Sequence, residues 1–391
     1  MKKTKILVVS DQFFPSIGSA ANLMTELCEY LALKEFDVFV LTSKPDRIPP
    51  DSLRELNKNI KIKRIYIPFQ KSSLYLFRGF FTLVAPLIYF FNAMLFFKKF
   101  DYVFIYSPPL SLGLTGTIIK FFTGSKFIFN VQDLFPQSAI DLNILKNSFL
   151  IKLFRIIEKK IYFSADLITA HSQGNLNFIL KSHPALIKKA RIMHNWIDFK
   201  KTKSPLKKNF EINEDKKNII FAGILGPSQF QGLLSFIKEF KYLNADVYDL
   251  ILLIEGSEVS RLKKYLDQNT FKNIRIYPFI PPEEYETLLS KVDIGLITLS
   301  EEVKTPVVPG KLLSYMKAKL PVILIADINN DSHALIRDSG CGFSSDHNNK
   351  NIKKLLLEID KSNLKDIGKK GYQYAYKNFK MENIINNLFK L

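Results

Sequence analysis

The residues with the clearest potential for chemistry lie near the C-terminal end, in VVPGKLLSYMKAKLPVILIAD, residues 307–327. Lys311 follows a Pro-Gly pair and stands at the start of a run with helical periodicity. A lysine is unusual there because the helix dipole is positive at the N-terminus. A lysine at a helix start, together with the free backbone N–H groups of the first turn, predicts a site for an anionic ligand such as a phosphate. The alternative is a structural lysine whose stem packs on the helix end while its ammonium reaches solvent.

Other loops place small or acidic residues directly after predicted strands. These residues are Asp11, Gly18 and Ser19 after KILVVS, Asp133 after KFIFNV, Gly223 after NIIF, and Glu255 and Gly256 after YDLILLI. Small residues at a helix start allow backbone N–H groups to approach a phosphate. None of these loops is a complete dinucleotide or Walker motif, because Thr305 and Leu312 break the latter pattern. An ordinary tight turn explains Gly18 equally well, and an aspartate helix cap explains Asp133 equally well.

The elements around these loops alternate between apolar, strand-like runs and segments of helical length. The alternation runs through residues 1–199 and restarts at residue 217, after a lysine-rich stretch over 200–216. Strands that alternate with helices predict parallel sheets covered on both faces. We therefore expect an α/β protein with domains at 1–199 and 217–372, and a linker between them. Ligands of such sheets bind at the carboxyl ends of strands, and a cleft between two domains is the default site.

Composition excludes several classes of protein. With 391 residues and 47% apolar residues, the chain is long enough for two or three packed domains. Cys28 and Cys341 lie far apart, which predicts a reducing compartment and no disulfide framework or zinc site. The N-terminal apolar run has only five residues, too few for a signal peptide, and is better explained as a first strand. No D-x-D occurs, and the five histidines show no metal-binding spacing, so no metal is expected.

The charge balance indicates an anionic partner. Lys and Arg total 56 against 37 acidic residues, a formal charge of +19. Lysine enrichment from an AT-rich genome accounts for part of this excess. The functional interpretations are nucleic acid, an anionic membrane surface or a polyphosphate ligand.

Two segments favour the membrane over nucleic acid. LYLFRGFFTLVAPLIYFFNAMLFFKK, residues 74–99, has three interpretations: a helix of a soluble domain that presents aromatic surface to the bilayer, which we favour, a buried core helix, or a transmembrane helix. FLIKLFRIIEKKIYF, residues 149–163, places Lys152, Arg155, Lys159 and Lys160 among large apolar residues at helical spacing. Such a helix lies on anionic lipid or simply carries a solvated charged face.

The loops, in their order along the chain, resemble a known family. They read DQFFPSIGSAAN, YSPPLSLG, VQDLFPQSA, HNWID, FAGILG, VVPGKLLSYMKAKLPVI and SGCGF. The chain is similar to the retaining nucleotide-sugar glycosyltransferases of glycosyltransferase family 4, in the branch of fucosamine- and fucosyl-transferase-like enzymes of bacterial O-antigen and exopolysaccharide assembly. This resemblance implies the GT-B fold, two Rossmann-like domains facing across a cleft. It also implies that a C-terminal helix, residues 373–391, packs back on the first domain.

The resemblance implies roles for individual residues. The expected catalytic residues are Asp133, near the anomeric carbon, and Lys311, at the donor diphosphate. Donor binding is expected from Gly18, Ser19, Gly223, Glu255, Gly256, Pro309, Gly310, Ser314 and Tyr315. Weaker contacts with acceptor or sugar are expected from Asp11, Asn195 and Glu302. The chain departs from the family where Pro306 and Ser314 replace a pair of glutamates, and where Gln132 replaces a histidine.

The implied reaction is transfer of an N-acetylated hexosamine or 6-deoxyhexosamine from a UDP-sugar to a polyprenyl-diphosphate-linked saccharide, with retention and with no metal or cofactor. The implied location is the cytoplasmic face of the inner membrane, with peripheral attachment to its anionic surface and no nucleic-acid partner. Two alternatives stay open. One is an enzyme like the UDP-N-acetylglucosamine 2-epimerases of the same fold, and the other is a non-catalytic, membrane-associated binding protein, which the missing glutamates allow.

Overall fold

A computed structural model describes residues 3–16, 18–45, 55–67, 75–96, 99–200, 204–207, 210–243 and 245–389, without the side chains of 75–83 and 96. The chain divides into two compact units. The first comprises Met1–Asn195 with Ile385–Leu391, and the second comprises Trp196–Ile384. The described part of the predicted linker, 200–216, therefore belongs to the second unit.

The first unit is built on a seven-stranded parallel sheet in the order β3-β2-β1-β4-β5-β6-β7. Its strands are β1 (Lys5–Ser10), β2 (Asp37–Ser43), β3 (Ile60–Ile65), β4 (Tyr102–Ser107), β5 (Lys126–Val131), β6 (Leu167–Ala170) and β7 (Ala190–Ile192). Its helices are α1 (Ser19–Leu33), α2 (Tyr75–Phe96), α3 (Leu112–Thr123), α4 (Gln137–Asp141), α5 (Ser148–Ser164) and α6 (Gln173–Ser182), followed by a 3-10 turn at Pro184–Lys188.

The second unit is built on a six-stranded parallel sheet in the order β10-β9-β8-β11-β12-β13. Its strands are β8 (Lys217–Ile224), β9 (Tyr248–Glu255), β10 (Ile274–Tyr277), β11 (Ile294–Thr298), β12 (Val322–Ile325) and β13 (Gly342–Ser345). Its helices are α7 (Pro227–Phe240), α8 (Val259–Asn269), α9 (Pro282–Leu289), α10 (Gly310–Lys317), α11 (Asp331–Ser339), α12 (Asn349–Asp360) and α13 (Leu364–Asn378), and α14 (Met381–Phe389) begins in this unit and ends in the first.

Both sheets show the same change of winding direction. The central strands are continuous runs of Val, Ile, Leu and Phe because helices cover both faces of the sheet. Strand order reverses between β1 and β4 in the first sheet and between β8 and β11 in the second. Ligands of doubly wound sheets bind outside the carboxyl ends of the strands at this reversal. The predicted α/β fold with parallel sheets is confirmed.

Helix α2 presents two different faces. Ala85, Tyr89 and Ala93 recur every four residues and are buried in the core of the first unit. Leu87, Phe91 and Leu95 recur with the same spacing on the other side, and Leu95 is 79% exposed. The interpretation of residues 74–99 as an entirely buried helix is therefore wrong. In the described part of the chain, no helix combines the length and apolarity needed to span a bilayer.

Helix α5 begins where the Asn147 side chain accepts a hydrogen bond from the backbone N–H of Leu150. Its Lys152, Lys159 and Lys160 are exposed, as the amphipathic pattern predicts. Arg155 is different. It forms an ion pair with Glu158 at 3.1 Å and also donates to Gln137, so it does not extend the basic face.

The C-terminal helix α14 contributes its last residues to the first unit. The Phe389 ring lies edge-on to Phe36 and to Tyr102, with ring centres 5.8 and 5.7 Å away. Tyr30 donates a hydrogen bond to the side-chain oxygen of Asn386 at 2.8 Å. These contacts attach the end of α14 to α1 and to the edges of β2 and β4.

Candidate functional site

Lys311 occupies the reversal point of the second sheet, where α10 follows β11 and lies against the end of β8. Its Nζ atom is buried and lies 3.9 Å from the centre of the Phe221 ring. A Cβ atom added to Gly223 would lie only 2.9 Å from this Nζ, so the glycine leaves the space that the ammonium occupies. The interpretation of Lys311 as a lysine that extends into solvent is therefore wrong.

The electrostatics of Lys311 are unusual. In the described structure its Nζ has no hydrogen-bond partner. Burial lowers the pKa of the Lys311 ammonium to about 7, because the charged form loses its hydration. Contact with the face of Phe221 compensates only part of this loss. A buried amine at the end of a strand, for which the described residues provide no hydrogen-bond partner, is consistent with the binding of an anion.

The helix start beside Lys311 adds backbone donors. Pro309 is the N-cap of α10 and supplies no side-chain hydrogen bond to the helix. Gly310 is the first helical residue and is half-buried, and the N–H of Leu312 already donates to the carbonyl oxygen of Pro309 at 3.0 Å. The backbone N–H groups of an uncapped first turn, together with the dipole, favour a negative charge. The anionic site predicted from the sequence is therefore consistent with the geometry of this corner.

Glu255 and Gly256 lie next to this corner, at the end of β9. Gly223 and Ile224 of β8 pair with Ile254 and Glu255 of β9, so the two strand ends are adjacent. Gly256 has φ 134°, and a Cβ there would lie 2.5 Å from the carbonyl oxygen of Leu225. Glycine is required because the loop after β8 crosses directly over it. The Glu255 side chain is exposed and accepts a long hydrogen bond of 3.4 Å from the backbone N–H of Phe279.

The remaining predicted donor contacts of the second unit differ in accessibility. Ser314 is half-buried on α10, and Glu302 is exposed in the loop that follows β11. Tyr315 is fully buried. Its hydroxyl donates to the carbonyl oxygens of Ile220 and Leu296 at 3.2 and 3.4 Å, so this side chain joins β8 to β11 in the core. Such a position does not favour the donor contact predicted for Tyr315.

Asp133 follows β5 in the first unit, at the carboxyl edge of its sheet. Its carboxylate accepts hydrogen bonds from the Ser138 hydroxyl and the Leu134 backbone N–H. Burial nevertheless raises the pKa of Asp133 above its usual range, and these hydrogen bonds oppose the shift. Both partners are local, so the same bonds also stabilise the turn before α4. A catalytic role for Asp133 stays a prediction.

Polar side chains from three neighbouring strands surround this edge. The Gln132 amide donates to Asn130 at 2.9 Å, and Asn130 donates to Thr169 at 2.8 Å. The His194 ring is hydrogen-bonded to the carbonyl oxygen of His171 at 2.9 Å. The side-chain oxygen of Asn195 is buried and has no partner in the described structure. Asn195 follows His194 directly in the chain.

The predicted residues of the first loop lie at the reversal point of the first sheet. Gly18 and Ser19 begin α1, and Ile17 lies outside the described residues. Asp11 follows β1, where its carbonyl oxygen accepts a hydrogen bond of 2.6 Å from Ser43. Asp11 also lines a cavity of about 350 Å³ in this unit.

Three residues of these sites were missed by sequence reasoning. Phe221 lies within a buried strand, and nothing in its sequence distinguishes it from an ordinary core residue. Tyr89 and Ser111 line the cavity of the first unit with Asp11. Tyr89 belongs to the aromatic helix and Ser111 to the loop YSPPLSLG, and both appear in the sequence as parts of those larger patterns.

The fold of this chain is shared with solved structures of other proteins. Its structure is similar to that of WaaG, a glycosyltransferase involved in lipopolysaccharide biosynthesis, with a TM-score of 0.67, 13% identity and 98% of each chain covered. It is also similar to Anabaena Alr3699/HepE in complex with UDP and glucose, with a TM-score of 0.70, 13% identity, and 99% and 98% coverage. The fold is therefore GT-B.

Sequence comparison identifies both domains. Residues 20–201 match the Glycosyltransferase Family 4 model, and residues 216–358 match the model for glycosyl transferases group 1. The chain is 22% identical over 276 residues to WbjE of Pseudomonas aeruginosa, named a probable glycosyltransferase, with 69% of each chain covered. It is 21% identical over 352 residues to WcaI of Escherichia coli (strain K12), whose name assigns it to colanic acid biosynthesis as a glycosyl transferase, with 83% of each covered. Both matched models and the names of both relatives describe glycosyltransferases.

Proposed function

We propose that this protein transfers a sugar from a nucleoside-diphosphate donor, a UDP-sugar, to a lipid-linked saccharide during bacterial surface-polysaccharide assembly, with retention at the anomeric carbon. The transferase class follows from the two matched domains. The polysaccharide context is supported by the names of WcaI and WaaG. UDP as the nucleotide is supported by HepE. An N-acetylated hexosamine or 6-deoxyhexosamine remains our proposal for the sugar.

The observation that carries this proposal is the unpaired Lys311 amine at the uncapped start of α10. In the reaction the bond between the anomeric carbon and the diphosphate oxygen breaks. The nucleoside diphosphate leaves with the electron pair, and the acceptor hydroxyl that attacks the anomeric carbon gives its proton to the departing diphosphate oxygen. Lys311 in its protonated form and the N–H groups of α10 would stabilise the charge that develops on the leaving oxygen. One such donor contributes about 3 kcal/mol to transition-state stabilisation.

We propose that no metal ion takes part in this step. Among the described residues, no group of three or more His, Cys, Asp or Glu side chains is placed to hold an ion. The argument for the proposal is the cation already present, because an ammonium and a helix dipole together supply positive charge at the diphosphate.

Attachment to the cytoplasmic face of the inner membrane is the second part of the proposal. The exposed side chains Leu87, Phe91 and Leu95 of α2 continue into α3, where Phe121 and Phe122 are 83% and 65% exposed. The Phe90 and Phe122 rings lie 5.4 Å apart and join the two helices. Exposed apolar side chains together with exposed lysines, which α5 supplies, are the combination that binds an anionic interface. Such attachment would bring the enzyme to a polyprenyl-diphosphate-linked acceptor.

The proposal is tested first by donor binding. A thermal-shift panel of UDP, GDP, ADP, CDP and dTDP is expected to show selective stabilisation by UDP, because a ligand that binds only the folded state raises the apparent Tm. Lys311→Met is expected to abolish this shift and also the transfer of radiolabelled sugar from UDP-N-acetylhexosamines to extracted membrane lipid.

The matched control is Lys317→Met, a lysine of the same helix that is paired with Glu286. This variant is expected to bind UDP and to transfer sugar as the wild type does. Free sugar or an epimerised nucleotide without an acceptor would instead indicate the epimerase-like alternative. Wild-type protein that binds nucleotides but transfers no sugar from any donor would indicate a binding protein.

A further inference from the structure

Helix α4 of the first unit is too short to be stable by its own hydrogen bonds. It has five residues, Gln137–Asp141, and none of them is fully buried. Its N-cap residue, Pro136, provides no side-chain hydrogen bond to the first turn. The few backbone hydrogen bonds of so short a helix do not offset the cost of nucleation in water. Contacts with the rest of the first unit must therefore hold α4, and α4 directly follows the loop that carries Asp133.

Two consecutive side chains of α5 supply such contacts. The Phe154 ring lies edge-on to Phe135, the residue before Pro136, with ring centres 4.9 Å apart. The guanidinium of Arg155 donates a hydrogen bond to the side-chain oxygen of Gln137, the first residue of α4. One contact is apolar and precedes α4, and the other is polar and lies at its first residue. Together they attach the beginning of α4 to α5.

Glu158 fixes the direction of the Arg155 side chain. Nη1 of Arg155 donates to the Glu158 carboxylate at 3.1 Å, while Nη2 donates to Gln137. Because the guanidinium is planar and rigid, the orientation that Glu158 imposes also directs the nitrogen that contacts Gln137. The Glu158 side chain is only 5% exposed. Desolvation of so buried a carboxylate offsets much of its attraction to arginine, so stabilisation of α5 alone does not account for the pair.

The first turn of α4 is in turn bonded to Asp133. Ser138 follows Gln137 directly, and its hydroxyl donates a hydrogen bond to the Asp133 carboxylate. Both carboxylates also lie near the hydroxyl of the buried Tyr162. Burial raises the pKa of Tyr162, and the negative charges of Glu158 and Asp133 raise it further. The buried ion pair of α5 and the candidate carboxylate at the strand end therefore belong to one compact cluster.

We propose that Arg155 and Glu158 are positioning residues for the Asp133 carboxylate. Glu158 orients Arg155, and Arg155 holds Gln137 at the start of α4. The first turn of α4 then keeps the Ser138 hydroxyl bonded to Asp133. The part that Asp133 plays in sugar transfer rests on the proposed function, whereas the anchoring of α4 by α5 does not.

The first test measures the anchoring directly. The double variant Arg155→Met/Glu158→Met removes both charges together, leaves no buried charge unpaired, and is expected to keep the wild-type Tm. Backbone hydrogen exchange over residues 137–141, followed by mass spectrometry, should become at least about tenfold faster, while exchange in α5 stays unchanged. The control is Lys120→Met, which removes an ion pair with Asp166 at the opposite edge of the same sheet and should leave α4 protected. Unchanged protection of α4 in the double variant would overturn the proposal.

The second test separates positioning from stability. In the lipid-transfer assay the double variant should lower kcat at least about tenfold and leave both KM values unchanged, because a displaced reacting group loses rate without losing substrate affinity. Gln137→Met keeps the ion pair of α5 but removes the acceptor of Arg155 on α4, and it should lower kcat to a similar degree. This variant decides the question if the double variant does not fold. Lys120→Met should keep the wild-type kcat, and a wild-type kcat in Gln137→Met would contradict the proposal.

The third test asks whether the two residues act through Asp133. Asp133→Asn should lower kcat, and adding Arg155→Met/Glu158→Met to it should cause no further loss, because the carboxylate that they position is already gone. Losses of kcat that multiply, or full activity of Asp133→Asn, would show that the pair does not act on this carboxylate and would refute the proposal.

These measurements also separate the proposal from the proposed function. If the wild type transfers no sugar but hydrogen exchange of α4 responds as expected, the proposed function fails and the anchoring of α4 by α5 stands. If the wild type transfers sugar and the double variant keeps its kcat, the positioning role fails and the proposed function stands.

Discussion

The Nζ atom of Lys311 lies 3.9 Å from the centre of the Phe221 ring, and no hydrogen-bonding group in the described structure accompanies it. The side chains nearest to it on β8 carry no charge, and the carboxylate of Glu255, at the end of the next strand, is exposed. An ammonium in this position costs free energy when the site is empty, and an anionic ligand would recover it. Binding of an anionic ligand beside Lys311 would therefore be coupled to protonation of its amine.

The first prediction concerns pH and nucleotide binding. Because the pKa of Lys311 is about 7 in the ligand-free protein, and a bound diphosphate would raise it, UDP binding takes up a proton above pH 7. Affinity should be independent of this group below pH 7 and should fall up to about tenfold per pH unit above it. Calorimetry at pH 8.5 in two buffers of different ionisation enthalpy measures this uptake. The Lys311→Met variant is the control, because any proton that it takes up comes from the ionisation of UDP itself. Equal proton uptake by the wild type and the variant would exclude Lys311 as the source of the proton uptake.

The second prediction concerns stability. Folding lowers the pKa of Lys311 from 10.5 to about 7, so the unfolded state binds more protons between those values. The contribution of Lys311 to the free energy of unfolding therefore rises as the pH increases from 7 to 10.5. Below pH 7 the buried ammonium destabilises the folded state most. Lys311→Met should stabilise the second unit by roughly 3–5 kcal/mol at pH 6, and by much less near pH 10. Lys317→Met, measured by denaturant unfolding at both pH values, should show no such pH dependence.

Much of the fold could be predicted from the sequence because both sheets are buried on two sides. A parallel strand under two layers of helices must be a continuous apolar run, and runs such as DVFVLTS and YDLILLIE coincide with β2 and β9. Helix α5 was predictable for the same kind of reason, since its apolar residues follow the helical period. The branch of the family, the sugar and the acceptor are not encoded in such patterns.

The sites were less predictable because they depend on distant pairs. Lys311 was identifiable from a lysine at a helix start, but its contact with Phe221 joins residues that are 90 positions apart in the chain. Tyr315 was predicted at the donor because Pro306 and Ser314 replace the glutamates of the resembled family, so other polar side chains nearby would have to contact the sugar. The fold instead places its hydroxyl in the core, where it joins β8 to β11. The hydroxyls of Tyr89 and Ser111 become informative only when the fold shows that neither has a partner.

The third prediction concerns the buried charge that fastens β9 to its neighbours. Asp249 is 0% exposed and pairs with Arg275 at 2.8 Å and with Lys216 at 3.3 Å. Asp249→Asn would leave two cations against a neutral side chain, and should destabilise the second unit by about 3–5 kcal/mol. Glu211 also pairs with Arg275, at 2.9 Å, but its side chain is 79% exposed.

The matched control for this prediction is therefore Glu211→Gln, which removes the other carboxylate from the same arginine. Its expected cost is at most about 1 kcal/mol, since solvent screens an exposed pair. Urea unfolding followed by far-UV circular dichroism measures both variants. Similar losses from Asp249→Asn and Glu211→Gln would contradict the importance of burial at this position.

The last prediction concerns the apolar face of α2 and the basic face of α5. Phe91 and Leu95 are 60% and 79% exposed, and Lys159 and Lys160 are exposed on α5. Burial of each apolar side chain in the interface is worth about 1.5–3 kcal/mol, and each lysine near anionic lipid about 1 kcal/mol. The double variants Phe91→Ser/Leu95→Ser and Lys159→Glu/Lys160→Glu should therefore each reduce vesicle binding at least about tenfold.

Co-sedimentation with two kinds of vesicle, one of phosphatidylglycerol and one of phosphatidylcholine, distinguishes the apolar contribution to binding from the electrostatic contribution. Raising the salt concentration should weaken vesicle binding by the wild type and by the Phe91→Ser/Leu95→Ser variant, because salt screens the attraction between lysines and anionic lipid. The Lys159→Glu/Lys160→Glu variant should lose its preference for phosphatidylglycerol. The control is Ile328→Ser, which removes a side chain of the second unit that is 65% exposed, and it should bind as the wild type does. If the wild-type protein binds neither kind of vesicle, peripheral attachment through the exposed side chains of α2 is refuted.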